Sequence, residues 1–469
     1  MFRPDSRQKP QRDLLETYLD DIIDTRHELV ILGKRIDWSA CEGYFGPMYA
    51  SNSGRPAMPV RLQVGLQLLK HIYGLSDLEV LKRWTENPYW QHFCGEITFQ
   101  HRIPMDETTM LRFRQRIGEE GARELLKMTI KLAEETGTVA PESFEVVVAD
   151  TTVMPKATSH PTDARLVSRC HRQLVALAKN EGVRFKQTFI KVLDKLVWNV
   201  SRYAHACQFQ RMHKHLRKMH SNLIHICAAL IDQKALSKRS QPLSDKLHQA
   251  LRLLDQYGDH SIKQRLYSLH EPQVVCITKG KARQRHEFGA KVSVVTTAAE
   301  GLVLDCQSLN GNPYDGHTVE PLLRRLKSHL GQLPEHLLVD RGYKGSDQTY
   351  LCQVHITGRK KGRGKAHEQQ HRRNSIEPII GHMKSEGLLD RCHLHGALGD
   401  KIHAVLCGVG MNLRKILKKL AELLLGRKKL TPWSLWQALL GIPEGERHSL
   451  RNLVIAIRRL PAEQNAQVV

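Results

Sequence analysis

The sequence predicts an α/β protein whose small sheet is accompanied by a helical N-terminal domain and a helical insertion. Short β-branched runs predict the strands, and they lie at 143–153, 291–297, 301–309, 335–340 and 353–357. Helical periodicity dominates before the first strand and again at 165–270, a segment too long for a loop of a compact domain. A chain of 469 residues has room for about two to four domains, so each helical segment can form its own unit.

The N-terminal segment, 1–140, is predicted to be a helical domain. Between 58 and 84, in MPVRLQVGLQLLKHIYGLSDLEVLKRW, apolar residues recur at helical spacing. Gly74 interrupts this pattern. Ser76, followed three residues later by Glu79, forms a capping box that starts the next helix.

A further helix is predicted at 106–117, with Arg112 and Arg116 on one face. Two helices joined by a glycine turn and followed by an arginine-bearing helix are compatible with a helix-turn-helix DNA binder, in which both arginines contact DNA. The same order is also compatible with any helical bundle, and the pattern alone leaves both interpretations open.

Basic charge is concentrated in the predicted insertion. The chain has 71 Lys and Arg against 48 Asp and Glu, which gives a net charge of +23. Segment 165–270 holds 20 of those basic residues against 6 acidic ones, a net of +14. A field of this sign attracts polyanions, and we interpret the insertion as a surface that contacts a nucleic-acid backbone. The alternative is a solvated basic bundle.

Cysteine usage and hydropathy predict a cytoplasmic protein with no membrane partner. The ten cysteines are scattered without a CxxC pair, which is typical of free thiols in a reducing compartment. No apolar run approaches the roughly 18 residues of a membrane span, and the first residues lack the apolar region of a signal peptide.

Three acids stand out by their position in the predicted elements. Asp150 and Asp340 each end a short apolar strand, and Glu377 starts a helix that follows a basic loop. Carboxylate oxygens are the ligands that Mg²⁺ prefers, and a few of them can hold a pair of ions about 4 Å apart. The pattern therefore predicts a two-metal phosphoryl-transfer site that binds Mg²⁺, or Mn²⁺ in its place.

The helix around Glu377 carries a charged stripe. In RRNSIEPIIGHMK, 372–384, Arg373, Glu377 and Lys384 are four and then seven residues apart, so a helix places all three on one narrow face. Pro378 is tolerated in the first turn of a helix, which predicts a helix that begins at or just before Glu377. Arg373 can then precede the helix.

The loop GRKKGRGKAHEQQHRR precedes this helix. Its position favours a clamp on the DNA backbone formed by Lys360, Lys361 and Arg363, although a solvated loop has the same composition.

The segments VVVADTTV (146–153), HLLVDRGYKG (336–345) and RRNSIEPIIGHMKSEG (372–387) resemble the three acidic blocks of DDE transposases from bacterial insertion sequences. The closest resemblance is to insertion sequence family five, in the group marked by a Tyr-x2-Arg-x3-Glu-x6-Lys signature. The arginine, glutamate and lysine positions match, whereas Gln370 stands at the tyrosine position. The similarity covers most of 53–415.

The resemblance implies an RNase H-like (retroviral-integrase-like) catalytic core at 141–164 and 271–420. A basic helical insertion at 165–270 would interrupt this core, and a helical tail at 421–469 would follow it. Asp150, Asp340 and Glu377 would bind the metal ions and act as the catalytic residues. Lys384 would contact DNA near the cleaved end, and Arg373 would contact phosphate or orient Glu377.

The implied function is that of a DNA transposase, which cuts at the ends of its element and joins them to target DNA by strand transfer. Its partners would be double-stranded DNA, as terminal inverted repeats and as target, and a second copy in a synaptic homodimer. The protein would then lie in the bacterial cytoplasm, associated with the nucleoid. Two alternatives are a domesticated DNA-binding protein without catalysis and an RNase H-fold nuclease that only hydrolyses.

Other polar residues allow weaker interpretations. Asp305 also ends a strand-like run but lacks the flanking match. Asp315 and His317, in NPYDGHTVEPLL, could contact the site, but a helix N-terminal cap explains them as well. Four residues have a spacing that superficially resembles a zinc set and are better explained by core packing: Cys392, His395, His403 and Cys407.

Overall fold

The computed structural model describes residues 17–49, 57–232, 240–259, 261–262, 264–278, 286–345, 351–356 and 373–424. The chain divides into two compact units, Met1–Lys418 and Lys419–Val469, and the sheet lies wholly within the first. Parts of the sequence predictions lie outside the described residues: Lys360, Lys361, Arg363, Gln370 and all but the first four residues of the predicted helical tail, 421–469. The predicted domain boundaries stay predictions.

The N-terminal part is helical. Its first six helices are α1 (Leu19–Ile22), α2 (Glu28–Arg35), α3 (Trp38–Phe45), α4 (Val60–Tyr73), α5 (Asp77–Glu86) and α6 (Pro88–Phe93). Gly74 ends α4 in the left-handed conformation, and the Ser76 hydroxyl accepts a hydrogen bond from the Glu79 N–H at 3.2 Å. The predicted N-cap is therefore confirmed. Only half of the capping box forms, because the Glu79 carboxylate bonds to Arg83 at 2.5 Å.

The long helix α7 (Glu107–Glu135) leads from this part to the sheet. It is broken at Gly118, where φ is 61° and ψ is −161°. Beyond the break, Arg123 donates to Asp305 of the sheet at 3.0 Å, with side-chain exposures of 5% and 0%. The second half of α7 is thereby fixed to the sheet by a buried ion pair.

The sheet has six strands: β1 (Val146–Pro155), β2 (Val275–Thr278), β3 (His286–Thr297), β4 (Val303–Leu309), β5 (His336–Val339) and β6 (Gln353–Ile356). Strand β1 pairs antiparallel with β3 on one side and parallel with β5 on the other. Strand β3 also pairs antiparallel with β2 and β4, and β5 pairs parallel with β6. The predicted α/β class is confirmed, and the predicted strands at 291–297 and 301–309 pair with each other as β3 and β4. Strand β2 was not predicted, and β3 begins before the predicted residue 291 because its first residues pair with β2.

Between β1 and β2 the described residues form four α-helices: α8 (Asp163–Asn180), α9 (Ile190–His205), α10 (Phe209–Asp232) and α11 (Gln241–Gly258). Their apolar faces enclose an apolar cluster that includes Leu174, Leu193, Leu223 and Leu253. Because each helix buries one face there, most basic residues of these four helices are left toward solvent.

Three helices complete the described chain: α12 (Val319–Leu330), α13 (Ile376–Ser385) and α14 (Gly396–Leu424). Helix α13 begins one residue before Glu377, which confirms the prediction based on Pro378. Met383 of α13 and Cys407 of α14 pack with Val292 and Val303 of the sheet. Among the described residues, no helix combines the length and apolar character needed to cross a membrane.

Two buried imidazoles make the stability of the protein depend on pH. The rings of His71 in α4 and His403 in α14 lie 6.0 Å apart. Burial lowers the pKa of His403 to about 4 and that of His71 well below its ordinary value. In the unfolded chain both imidazoles take up a proton near pH 6.5, whereas in the folded chain the His403 imidazole stays neutral down to about pH 4.

We therefore expect stability to be constant above about pH 6.5 and to fall as the pH decreases from there. Between pH 7.5 and pH 5, urea denaturation should show a loss of about 2 kcal/mol from His403, and His71 should add a loss in the same direction. In His403→Gln, the proton uptake on unfolding in this range should decrease by about one. An unchanged proton uptake would contradict the assignment.

Candidate active site

The parallel pairing of β1 and β5 brings the two predicted aspartates together. Val148 lies opposite Leu338 in this ladder, so two residues further along each chain Asp150 and Asp340 are level with one another. Neighbouring strands are about 4.8 Å apart, which places both carboxylates at the same edge. Asp340 directly follows β5, and its Oδ1 accepts a hydrogen bond from the Gly342 N–H at 2.8 Å.

Helix α13 packs against β1 and β5 and carries the third predicted acid, Glu377. Its first residue, Ile376, is fully buried in an apolar cluster with Val148 and Leu338. Glu377 is the next residue, so the packing of Ile376 places this carboxylate beside the middle of β1 and the end of β5. Lys384, seven residues later on the same helix, is half-buried.

One guanidinium contacts all three predicted acids. Nη2 of Arg373 lies 3.1 Å from Oδ2 of Asp150 and 3.8 Å from Oδ2 of Asp340. Nη1 lies 2.5 Å from Oε1 of Glu377. The side chain of Arg373 is only 11% exposed, whereas those of Asp150, Asp340 and Glu377 are 18%, 41% and 60% exposed. The site is therefore a partly open cluster of negative charge around one largely buried cation.

The donor set suits a hard divalent cation. All three candidate ligands offer carboxylate oxygens, and a cationic group already lies at the point where they converge. The two aspartates face one nitrogen of Arg373, and Glu377 faces the other. In the described part of the chain no three Asp, Glu, His or Cys side chains form a metal-holding group as they stand. The carboxylates surround a guanidinium, which is wider than a metal ion.

A buried phenol lies beside this cluster. Tyr343 is fully buried, three residues after Asp340. Burial raises the pKa of Tyr343 well above its ordinary value, and the carboxylates of Asp315, Asp150 and Asp340 raise it further. The phenol therefore stays protonated, and a fourth carboxylate, Asp315, belongs to the same electrostatic environment.

The two arginines of α7 that are predicted to contact DNA are accessible. Arg112 and Arg116 are both exposed, and the guanidinium of Arg116 stacks on the ring of Tyr49, 4.2 Å from its centroid. Arg114 between them is buried and pairs with Asp77 at 2.5 Å. Alternate arginines of this helix thus serve the core and the surface, and the DNA role of Arg112 and Arg116 stays a prediction.

The structure gives the other candidate acids and ligands different partners. Asp305 is fully buried and pairs with Arg123 and Arg325, at 3.0 and 3.1 Å. His395 Nδ1 lies 2.7 Å from Glu271, and His403 Nε2 lies 2.9 Å from the Leu388 carbonyl. Cys392 and Cys407 are buried, and burial raises the pKa of the Cys392 thiol to about 12. Cys392, His403 and Cys407 are therefore parts of the core, whereas His395 is exposed and contacts the buried Glu271.

Sequence analysis missed a buried ionic cluster that joins three distant segments. Lys156, just after β1, contacts Asp400 at 2.5 Å and Glu271 at 3.2 Å, and all three side chains are at most 3% exposed. No local periodicity indicates such a cluster, because its members come from separate parts of the chain. The only available signal was the presence of charged residues in otherwise apolar surroundings.

Two family models match separate parts of the chain. The family model "Transposase domain (DUF772)" matches residues 17–116, and the model "Transposase DDE domain" matches residues 270–413. The second match contains Asp340 and Glu377, whereas Asp150 and the helices α8–α11 lie between the two matches. A DDE transposase domain implies an RNase H-like fold, in agreement with the mixed sheet.

One relative extends the comparison. An uncharacterised protein of Rhizobium meliloti, ORF8 in the nfe locus, is 46% identical over 208 residues, which are 44% of this chain and 100% of that protein. No solved structure is significantly similar to the chain. With both transposase domains in the expected order, and with a DDE domain that contains two of the three converging acids, the chain belongs to the DDE transposases.

Proposed function

We propose that this transposase cuts DNA at the ends of an insertion sequence and joins the cut ends to target DNA, with Asp150, Asp340 and Glu377 as its catalytic acids. The observation that carries the proposal is the convergence of these acids on Arg373. They arrive from two parallel strands and one helix, although the first and the last are 227 residues apart in sequence.

The three acids would hold Mg²⁺, or Mn²⁺ in its place, and the bound ions would stabilise charge at the reacting phosphate. The fold of the protein fixes the positions of these three acids. Asp150 is held by β1, and Asp340 by the turn that Gly342 closes. Arg373 holds Glu377 beside them. Cleavage and strand transfer are both displacements at phosphorus, so one rigid set of ligands can serve both reactions.

The partner is double-stranded DNA, first as the terminal inverted repeats and then as the target. Lys384 lies seven residues beyond Glu377 on α13, which suits a phosphate contact near the cleaved end. Synapsis of two ends favours a homodimer. The match of Arg373, Glu377 and Lys384 to the Tyr-x2-Arg-x3-Glu-x6-Lys spacing supports a place near insertion sequence family five.

The test uses the full-length protein with two duplexes that carry the element end, one intact and one cut at its 3′ terminus. A transposase cleaves the first and joins the second to a supercoiled plasmid when Mg²⁺ is present. Cleavage without joining would identify a nuclease that only hydrolyses. DNA binding without either reaction would identify a regulator, and the proposal would be wrong.

The basic surface of α10 gives a separate prediction about DNA affinity. Lys214, Arg217 and Lys218 are all exposed on this helix. The plot of log affinity against log salt concentration has a negative slope. Replacing the three residues by glutamine should make this slope less negative, by about 0.9 for each lost phosphate contact. Fluorescence anisotropy from 50 to 300 mM salt measures this slope.

A control with the same change in charge isolates this surface. Arg26, Lys131 and Arg324 are exposed elsewhere, and each pairs with a neighbouring acid. Their triple glutamine variant should retain the wild-type slope. If both triple variants reduce the salt dependence of DNA affinity equally, the effect comes from net charge, and α10 does not contact DNA.

A further inference from the structure

A fourth carboxylate, Asp315, lies between the segments that carry Asp150 and Asp340. It starts the short 3₁₀ helix Asp315–Thr318, where its side chain does not cap the helix. Its Oδ1 accepts a hydrogen bond from the Thr151 hydroxyl at 3.0 Å and pairs with Lys291 Nζ at 2.7 Å. The N-terminal cap considered for Asp315 from the sequence is therefore not its role.

The ion pair between Asp315 and Lys291 is largely withdrawn from water, which costs free energy. The Lys291 side chain, in the interior of β3, is only 10% exposed, and that of Asp315 is 23% exposed. The ammonium also donates to the Pro313 carbonyl at 2.8 Å. Withdrawing two charges from water costs several kcal/mol per ion, and good geometry is needed to offset that cost. The pair fixes the loop before α12 to β3 in one arrangement.

Asp315 reaches β1 from the side opposite Asp150. Successive side chains of a strand point to opposite faces, so Thr151 faces away from the side on which Asp150 lies. The Thr151 N–H also donates to Oδ1 of Asp150 at 2.7 Å. Asp315 therefore holds, through the Thr151 hydroxyl, the residue whose backbone orients the Asp150 carboxylate.

The other oxygen of Asp315 faces the turn that orients Asp340. A Cβ added to Gly342 would lie 3.2 Å from Oδ2 of Asp315 and 2.9 Å from Oδ1 of Asp340. The Gly342 N–H is the donor that holds Asp340. Close packing on both sides of Gly342 leaves this turn little room to shift.

We infer that Asp315 is a positioning residue that, held by Lys291, sets the separation of the Asp150 and Asp340 carboxylates through Thr151 and Gly342. The inference rests on the proposed function of those two acids. Its consequence is that Asp315 controls metal affinity without contacting the metal. Residues that orient metal ligands typically change affinity or activity by about 10- to 100-fold when they are replaced.

The test measures binding of Mn²⁺ to the full-length protein without DNA, by calorimetry. Asp315→Asn should raise the Mn²⁺ dissociation constant about 10- to 100-fold. At saturating Mn²⁺, cleavage should recover to near the wild-type rate, because the ligands themselves remain. A general structural defect would lower the rate at every metal concentration.

Two further variants make the outcome decisive. Asp315→Asn leaves the buried Lys291 unpaired, so the double variant Lys291→Met with Asp315→Asn removes both charges and should show the same weakened binding. Glu320→Gln removes a carboxylate five residues later, in an exposed pair with Arg324, and should bind Mn²⁺ like the wild type. Wild-type affinity in the folded single and double variants would overturn the inference.

The failure of this inference can be distinguished from failure of the proposed function. If Asp340→Asn abolishes cleavage while Asp315→Asn binds Mn²⁺ normally, only the positioning role is wrong. If Asp340→Asn cleaves like the wild type, the assignment of the acids is wrong, and the role inferred for Asp315 falls with it.

Discussion

Asp340→Asn is expected to lower DNA cleavage by about 10³-fold while the protein remains folded. Asparagine keeps the shape of the side chain but removes the negative charge that the site directs toward a cation. Charge stabilisation by a bound metal amounts to several kcal/mol, and about 4 kcal/mol corresponds to 10³-fold in rate. Because the Asp340 side chain is 41% exposed, the free energy of unfolding should change by less than about 1 kcal/mol.

The measurement is single-turnover cleavage of a labelled element end, with thermal unfolding recorded on the same samples. Asp150→Asn and Glu377→Gln should lose activity to a similar extent, since residues that act as one unit are not additive. Asp390→Asn makes the same chemical change at an exposed position and should remain within about twofold of the wild type. Cleavage by Asp340→Asn within tenfold of the wild-type rate would show that the site lies elsewhere.

Lys156→Met is expected to cause the largest loss of stability, about 3–5 kcal/mol. Its ammonium lies 2.5 Å from Asp400 and 3.2 Å from Glu271, and these two carboxylates are 3% and 2% exposed. Burial by itself would lower the pKa of Lys156, yet its acidic neighbours, led by Asp400, raise it above the ordinary value. Methionine fills a similar volume but leaves two buried carboxylates without this cation.

Urea denaturation at pH 7.5 measures the loss. The control is Lys131→Met. Lys131 lies 3.9 Å from Glu135, and the two side chains are 76% and 47% exposed, so this substitution should lower the free energy of unfolding by less than about 1 kcal/mol. Adding Asp400→Leu and Glu271→Met to Lys156→Met should recover much of the stability, because whole buried ion clusters can be replaced by apolar groups. A loss below about 1 kcal/mol in Lys156→Met would mean that the cluster is not ionised.

Local patterns predicted the elements of the site well. The β-branched runs before Asp150 and Asp340 are strands, and Pro378 correctly indicated where α13 begins. The prediction that Asp150 ends its strand was wrong, because β1 continues to Pro155 and stays paired with β3 over that stretch. These features depend on neighbours in sequence. Strand β2, four residues long at the edge of the sheet, was missed, although β5 and β6 are equally short and were predicted.

Long-range contacts could not be predicted in the same way. Arg373 was expected to contact phosphate or to orient Glu377, and it was allowed to precede the helix. It does precede α13 and contacts Glu377, but its contacts with Asp150, 223 residues away in sequence, and with Asp340 were not predicted. Lys156 and Asp400 are 244 residues apart, and their pairing depends on how α14 packs against the end of β1. Such contacts follow from the pairing of strands and helices, which no single segment encodes.

The break in α7 has a stereochemical consequence. Gly118, with φ 61° and ψ −161°, has the mirror image of the extended polyproline conformation of ordinary residues. A Cβ added there meets nothing within 4 Å, so size is not what restricts the position. D-alanine would suit this backbone, whereas every genetically encoded side chain has the opposite hand. The direction in which the second half of α7 leaves the first therefore depends on one achiral residue, and any missense change of its codon introduces backbone strain.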